Sequence, residues 1–223
     1  MNNPVVVITG ATGATGTFAA KSFARQGASL ALLSSNQIKL DKLEIELNLP
    51  AVQLFTVVAD LRNPVQVNAA AASIYAKFGR ADILLHLVGG WTGGKSLVDT
   101  PGGDLEAMVG QHVWTTFHLA QAFIAGMVNQ RWGRFIIVSS PTATTPPPKM
   151  GAYATAKAAQ ETLLLTLAQE VKDSGVTANI IQVRSIDTND TGQGTTADEI
   201  TAAMHYLCSD KAAKINGARI PLF

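Results

Sequence analysis

Thr9-Gly10-Ala11-Thr12-Gly13-Ala14-Thr15-Gly16 decides the fold. It follows a short β-branched apolar run, Val5–Thr9, and leads into Thr17–Gln26, which has helical spacing at Phe18, Lys21/Ser22 and Arg25. A run that is apolar throughout reads as a buried parallel strand. Small residues at the turn let backbone N–H groups approach a pyrophosphate, and the helix N-terminus favours that charge. A glycine repeat alone is weak evidence. Between a leading strand and a helix it is strong evidence for a dinucleotide site built from Gly10, Thr12, Gly13, Ala14, Thr15 and Gly16. The rival reading is a turn that needs glycine only for packing.

Downstream, strands and helices alternate. Ser29–Leu33, Val52–Val58, Ile83–Val88, Phe135–Val138, Thr177–Val183 and Arg219–Leu222 read as strands. Asp41–Leu47, Val65–Phe78, Asp104–Gln130, Gly151–Ser174 and Thr196–Cys208 read as helices, with Gly79 and Gly175 as stop signals. This order predicts an α/β fold, a parallel sheet with helices on both faces. Pro146-Pro147-Pro148 reads as a rigid extended spacer.

Composition narrows the class. Of 223 residues, 47% are hydrophobic and 15% charged, so a large core is expected in one domain, 1–223. A net charge of +1 without a basic run argues against nucleic acid or an anionic membrane as partner. The single cysteine, Cys208, rules out an internal disulfide framework and fits a reducing compartment. The opening residues lack a basic n-region and a long apolar stretch, so a soluble cytoplasmic protein is expected. Asn189-Asp190-Thr191 is a glycosylation sequon, read as accidental in that setting. His86, His118 and His205 show no metal-ligand spacing, and no metal is expected. Met127, Met150 and Met204 read as gap-fillers.

Tyr153-Ala154-Thr155-Ala156-Lys157 carries the chemistry, thirteen residues after Ser140. On a helix, positions four apart share one face, so phenol and ammonium can meet in one pocket. An ammonium beside a phenol favours phenolate and lowers its pKa, which suits carbonyl/alcohol chemistry. After the second strand, an acidic residue would select the 2′-OH of NAD and a basic one the 2′-phosphate of NADP. Ser34-Ser35-Asn36 has neither charge, so the choice between NAD and NADP stays open; Lys39 is either a phosphate contact or a solvated helix residue. Asp60 is placed either to meet the adenine edge or to cap the next helix.

With these residues assembled, the chain resembles the short-chain dehydrogenase/reductase family over nearly its whole length. The matching pieces are Thr9–Gly16, Asp60-Leu61, Gly89, Ser140, Tyr153/Lys157, Thr188 and Asn216-Gly217. The resemblance implies a three-layer, doubly wound Rossmann-type sheet of about seven strands. It implies NAD(P)-dependent hydride transfer to or from a small carbonyl or alcohol. Tyr153 would be the acid/base, Lys157 its tuner and ribose ligand, and Ser140 the substrate-oxygen partner (or, read locally, a strand-end cap). Val88, Gly89 and Thr188 would join Ser34, Ser35, Asp60 and Leu61 around the cofactor, with a short substrate loop near 185–196. A homodimer or homotetramer through the two long helices is also implied.

The departures are specific. Gly13 replaces the middle glycine of the family's usual spacing, with Ala14 in that slot, and Asn-Asn-Ala-Gly reads His86-Leu87-Val88-Gly89. The fourth catalytic position, normally Asn, falls on His112, read either as a proton-relay group or as a helix histidine with a hydrogen-bond partner. Pro-Gly reads Arg184-Ser185, where Arg184 either reaches an acidic substrate group or cofactor phosphate, or forms a surface ion pair. Gly89-Gly90-Trp91-Thr92-Gly93-Gly94 with His112-Val113-Trp114-Thr115 is similar to the dihydropteridine reductase branch, which suggests a flat heterocycle stacked on Trp91 as an alternative substrate. Trp91 is otherwise a loop wall, and Trp114 reads as helix packing or a subunit contact. The lost motifs motivate a third reading, a non-catalytic dinucleotide sensor.

Overall fold

The computed structural model describes residues 3–188 and 191–223, so Asn189 and Asp190 of the sequon lie outside the described residues. Seven strands form one sheet: β1 (Val5–Thr9), β2 (Ser29–Ser34), β3 (Leu54–Val58), β4 (Ile83–His86), β5 (Gly133–Ser139), β6 (Val176–Gln182) and, last in the chain, β9 (Arg219–Pro221). Their order is β3-β2-β1-β4-β5-β6-β9, and every pairing is parallel. A second ladder of two residues each pairs β7 (Ile186–Asp187) with β8 (Thr195–Thr196) and closes the short loop between them.

Strand side chains alternate between two cores. Val7, Leu33, Leu84, Phe135 and Ile137 pack toward Ile74 of α3 (Pro64–Phe78), Phe123 of α5 (Thr115–Asn129) and Leu164 of α6 (Gly151–Glu170). Val6, Ile8, Leu32, Leu85 and Ile136 pack toward Phe23 of α1 (Ala14–Arg25), Leu40 of α2 (Gln37–Leu47) and Met204 of α7 (Ala197–Cys208). Both faces are covered, which is why the strands read as apolar throughout. Met127 and Met204 fill the two cores as expected, but Met150 lines a cleft instead.

Several helix starts lie earlier than the sequence suggested, because their caps are polar residues outside the apolar pattern. Asn36 caps α2, accepting from Lys39 N–H at 3.0 Å. Asn63 caps α3, accepting from Val65 N–H at 3.0 Å, so Asp60 is not the cap. Thr196 and Glu199 form a reciprocal capping box on α7. The helix expected over Asp104–Gln130 is α4 (Gly102–Val109), a π-turn at Gly110–Trp114, then α5. No described helix is long and apolar enough to cross a membrane.

Candidate functional site

The sheet order reverses between β1 and β4, and a crevice opens there at the carboxyl ends of the strands. One half, about 560 Å³, is lined by Gly10, Thr12, Ser34, Ser35, Asp60, Leu61 and Arg62. The other, about 540 Å³, is lined by Thr15, Ser140, Tyr153, Lys157, Arg184 and Thr188, among others. Gly13, Leu87, Val88 and Gly89 border both halves, so the two are continuous.

The glycine turn fits a pyrophosphate. A Cβ on Gly16 would stand 2.2 Å from Gly10 O, and Gly10 itself has φ +69° with backbone of Leu87 2.8 Å from its Cβ direction. At Gly10 and Gly16 the turn is thus closed, against the segment that follows β4 and against its own backbone, with no room for a side chain at either position. Gly13 precedes α1 and supplies no side-chain cap, and no acidic residue occupies the first turn. Thr15 Oγ1 is buried without a hydrogen-bond partner. Uncapped N–H groups and an orphaned hydroxyl at a helix N-terminus are what an anionic oxygen would satisfy.

In the half lined by Ser34 and Asp60, Ser34 Oγ and Thr12 Oγ1 are hydrogen-bonded at 2.8 Å, and Ser34 Oγ accepts from Asn36 N–H at 3.2 Å. Asp60 accepts from Arg62 Nε at 3.0 Å and Nη2 at 2.9 Å, and these bonds hold its carboxyl below its ordinary pKa. Arg62 was not anticipated from the sequence, although its place two residues after Asp60 offered a signal.

In the other half, β5 ends at Ser139, and Ser140 Oγ accepts from Thr142 N–H at 3.3 Å as a local cap. The same residue shares the cavity wall with Tyr153, which stands on the first turn of α6. Lys157, one turn on, is buried and donates to Val138 O at 2.9 Å and Gln160 Oε1 at 3.0 Å. Its Nζ lies 5.9 Å from the Tyr153 ring centroid. The sequence reading had the ammonium pull the phenol down. Among the chain's own groups burial is the largest influence, and it pushes Tyr153 above its ordinary value, opposed by the Ser140 side chain. Burial also pushes Lys157 down to about 7, against the nearby Glu161 charge.

Gln160 was missed too. Its carbonyl must face Lys157, which can only donate, so its amide nitrogen donates to Thr116 Oγ1 at 2.9 Å. That hydroxyl in turn donates to His112 O at 2.7 Å. Two hydrogen bonds thus fix the Lys157 amino group on the crevice wall.

His112 is buried in the π-turn, donating Nε2–H to Gly90 O at 3.1 Å, while Nδ1 has no partner among the described residues. Its ring meets Tyr153 edge-on at 5.7 Å. His86 donates Nε2–H to Thr115 Oγ1 at 3.0 Å, since that hydroxyl gives its proton to Gln111 O, and so accepts at Nδ1 from Thr9 Oγ1 at 2.7 Å. His118 donates to Leu61 O, and His205 hydrogen-bonds Ser22. No cluster able to hold a metal occurs among the described residues. Trp91 is 57% exposed on the cavity wall, its ring against Gly93.

His86 and His112 carry an acid-stability prediction. Burial first, then the Lys157 charge, pushes each down to about 3. Below pH 6.5 the unfolded chain takes up protons that these folded imidazoles refuse, so stability must fall as pH drops from 6.5 toward 3. The stretch between about pH 6.5 and 5 lies above ordinary carboxylate titration, which isolates the imidazoles. Urea midpoints should decline across it, and a flat profile there would contradict the assignment.

A sequence profile described as short chain dehydrogenase matches residues 4–199. Oxidoreductase UcpA of Escherichia coli K12 is 33% identical over 182 residues, covering 81% of this chain and 68% of its own. Dehydrogenase/reductase SDR family member 7B of Bos taurus is 31% identical over 204 residues, covering 89% of this chain; the match spans 62% of that longer protein. An NAD+-bound xylitol dehydrogenase superposes with a TM-score of 0.88 over 99% of this chain and 98% of its own, at 23% identity.

Proposed function

The chain belongs to the short-chain dehydrogenase/reductase family of oxidoreductases, and on that premise we propose that it moves a hydride between a nicotinamide dinucleotide and a carbonyl/alcohol substrate, with Tyr153 as acid/base. One observation carries the reading: Ser140, Tyr153 and Lys157 line one wall of the crevice that the glycine turn closes. The dinucleotide, when bound, supplies or accepts the hydride. Gly10–Gly16 and Thr15 Oγ1 would hold its pyrophosphate. Ser34, Ser35, Asp60 and Leu61 would frame its adenosine, and Val88, Gly89 and Thr188 the nicotinamide half.

Tyr153 gives its proton to the developing substrate oxygen and takes it back in the reverse direction. Ser140 orients that oxygen, a donor typically worth about 3 kcal/mol in the barrier. Lys157, when protonated, offers a third N–H to the cofactor ribose while Val138 O and Gln160 hold its place. Titration with NADH and NADPH, followed by a carbonyl panel with the tighter cofactor, tests the whole reading. A chain that binds dinucleotide and consumes none with any member is the non-catalytic sensor instead.

Neither dinucleotide is favoured by a charge at Ser34. A carboxylate there would accept from a 2′-OH and repel a 2′-phosphate. Ser34→Asp should therefore raise the ratio of NADPH to NADH dissociation constants by about tenfold or more, near 1.4 kcal/mol. An unchanged ratio would remove Ser34 from the selector.

The position of Trp91 on the cavity wall supports the second reading, a flat heterocycle of the dihydropterin kind as substrate. Assay of quinonoid dihydropterin against simple ketones separates the two. The outer side of the π-turn and α5 exposes Trp114 and Phe117, ring centroids 5.9 Å apart, and is our candidate for the contact of a homodimer or homotetramer. The lone, unpaired Cys208 supports a cytoplasmic setting.

A further inference from the structure

The half of the crevice that holds Ser140 and Tyr153, shared between the nicotinamide end of the dinucleotide and the substrate in the reading above, is electrostatically one-sided. None of its described lining residues is an Asp or Glu, and its described basic residues are Lys157 and Arg184. Lys157 is buried and committed to Val138 O and Gln160. His112, also on the wall, stays neutral near pH 7. Arg184 remains as the exposed positive charge. It follows Val183 at the end of β6, and among the described residues it forms no ion pair. Its guanidinium carbon lies 4.7 Å over the ring of Phe223. Stacking on an aromatic face limits the side chain's freedom yet leaves the N–H edge of the fork open.

A preorganised guanidinium edge matches a planar carboxylate through two parallel hydrogen bonds. Among the described residues the cavity wall offers no competing acid, so that charge has no described ion-pair partner to give up. We infer that the substrate is an oxo acid: its carbonyl meets Ser140 and Tyr153, and its carboxylate is held by Arg184. This rests on the catalytic reading above and adds the chemical class. Val183-Arg184-Ser185 sets the specificity, and the bulk of Phe223 keeps the guanidinium at the cavity mouth.

The test uses pairs of oxo acids and their methyl esters, with the carboxylate at increasing distance from the carbonyl, on the full chain. The wild type should prefer the best acid over its ester by about 10- to 100-fold in kcat/KM, the range for hydrogen bonds to a charged group. Arg184→Gln should bring that ratio toward one, and Arg184→Lys should restore part of it, since charge returns without the fork. The dissociation constant for dinucleotide should change by less than about twofold in Arg184→Gln. Wild-type enzyme that reduces esters as well as acids overturns the inference and leaves the catalytic reading intact. So does a Gln variant that loses acid and ester equally while binding dinucleotide more weakly, because Arg184 would then serve a cofactor phosphate. Bound dinucleotide with no turnover of either member of any pair overturns the catalytic reading, and this one with it.

Discussion

Tyr153→Phe should lower kcat/KM by roughly 100- to 10,000-fold while leaving dinucleotide affinity near that of the wild type. The substitution removes one hydroxyl and little else. The ring keeps its edge contact with His112, and Ser140 keeps its bond from Thr142 N–H. No recorded hydrogen bond of the phenol is lost, so the fold should be little changed. Cofactor groups at the glycine turn are untouched, so a binding titration reports an intact site while the rate reports a missing proton.

The pH dependence has a definite sign. Burial raises the phenol, so its own contribution to reduction should decline only as pH rises through the raised value, and any change near pH 7 belongs to Lys157, which burial pushes down to about 7. Oxidation needs the deprotonated form and should climb over the same range. Both dependences should vanish from whatever rate the Phe variant retains. A variant that keeps wild-type turnover would transfer the acid/base role elsewhere, and His112 is then the nearest titratable ring.

The central strands were legible because a sheet covered on both faces needs apolar residues at every position, a local and unmistakable pattern. The glycine turn and the Tyr153/Lys157 spacing were legible because both are short-range geometry. The π-turn was not. Period-3.6 reading registers no inserted residue when Gly110–Trp114 remain helical in character. Nor was the chain from Lys157 through Gln160 to Thr116, since its key bond joins residues 44 apart in sequence. Still, a glutamine three residues after Lys157, on the same helix face, was a visible hint. The sign of the Tyr153 shift was misread for a related cause. The neighbouring lysine is local and countable, whereas the burial that raises the phenol and lowers Lys157 itself belongs to the assembled fold.

Gly16→Ala is expected to run against helix propensity. In an ordinary helix the change stabilises by about 1 kcal/mol. Here Gly16 sits in the first turn of α1, and the new Cβ would stand 2.2 Å from Gly10 O and 2.8 Å from Ala11 Cα. Both are backbone atoms, so no side chain can swing aside. The turn cannot retreat either, because Gly10 is already closed against Leu87 and Val88. The helix must tilt outward, carrying its uncapped N–H groups and Thr15 away from the crevice. Overpacking of this kind costs about 1–3 kcal/mol, and the displaced amides should weaken dinucleotide binding by an order of magnitude or more. Gly13→Ala is the internal comparison, since its Cβ would meet only Gly10 O, at 3.3 Å, a contact that a few tenths of an ångström relieves. Urea midpoints and dinucleotide titrations of the two variants should therefore separate, with Gly16→Ala the worse by both measures. Equal behaviour, or a Gly16→Ala chain more stable than the wild type with unchanged affinity, would mean that the turn is only a packing element and that the pyrophosphate is held elsewhere.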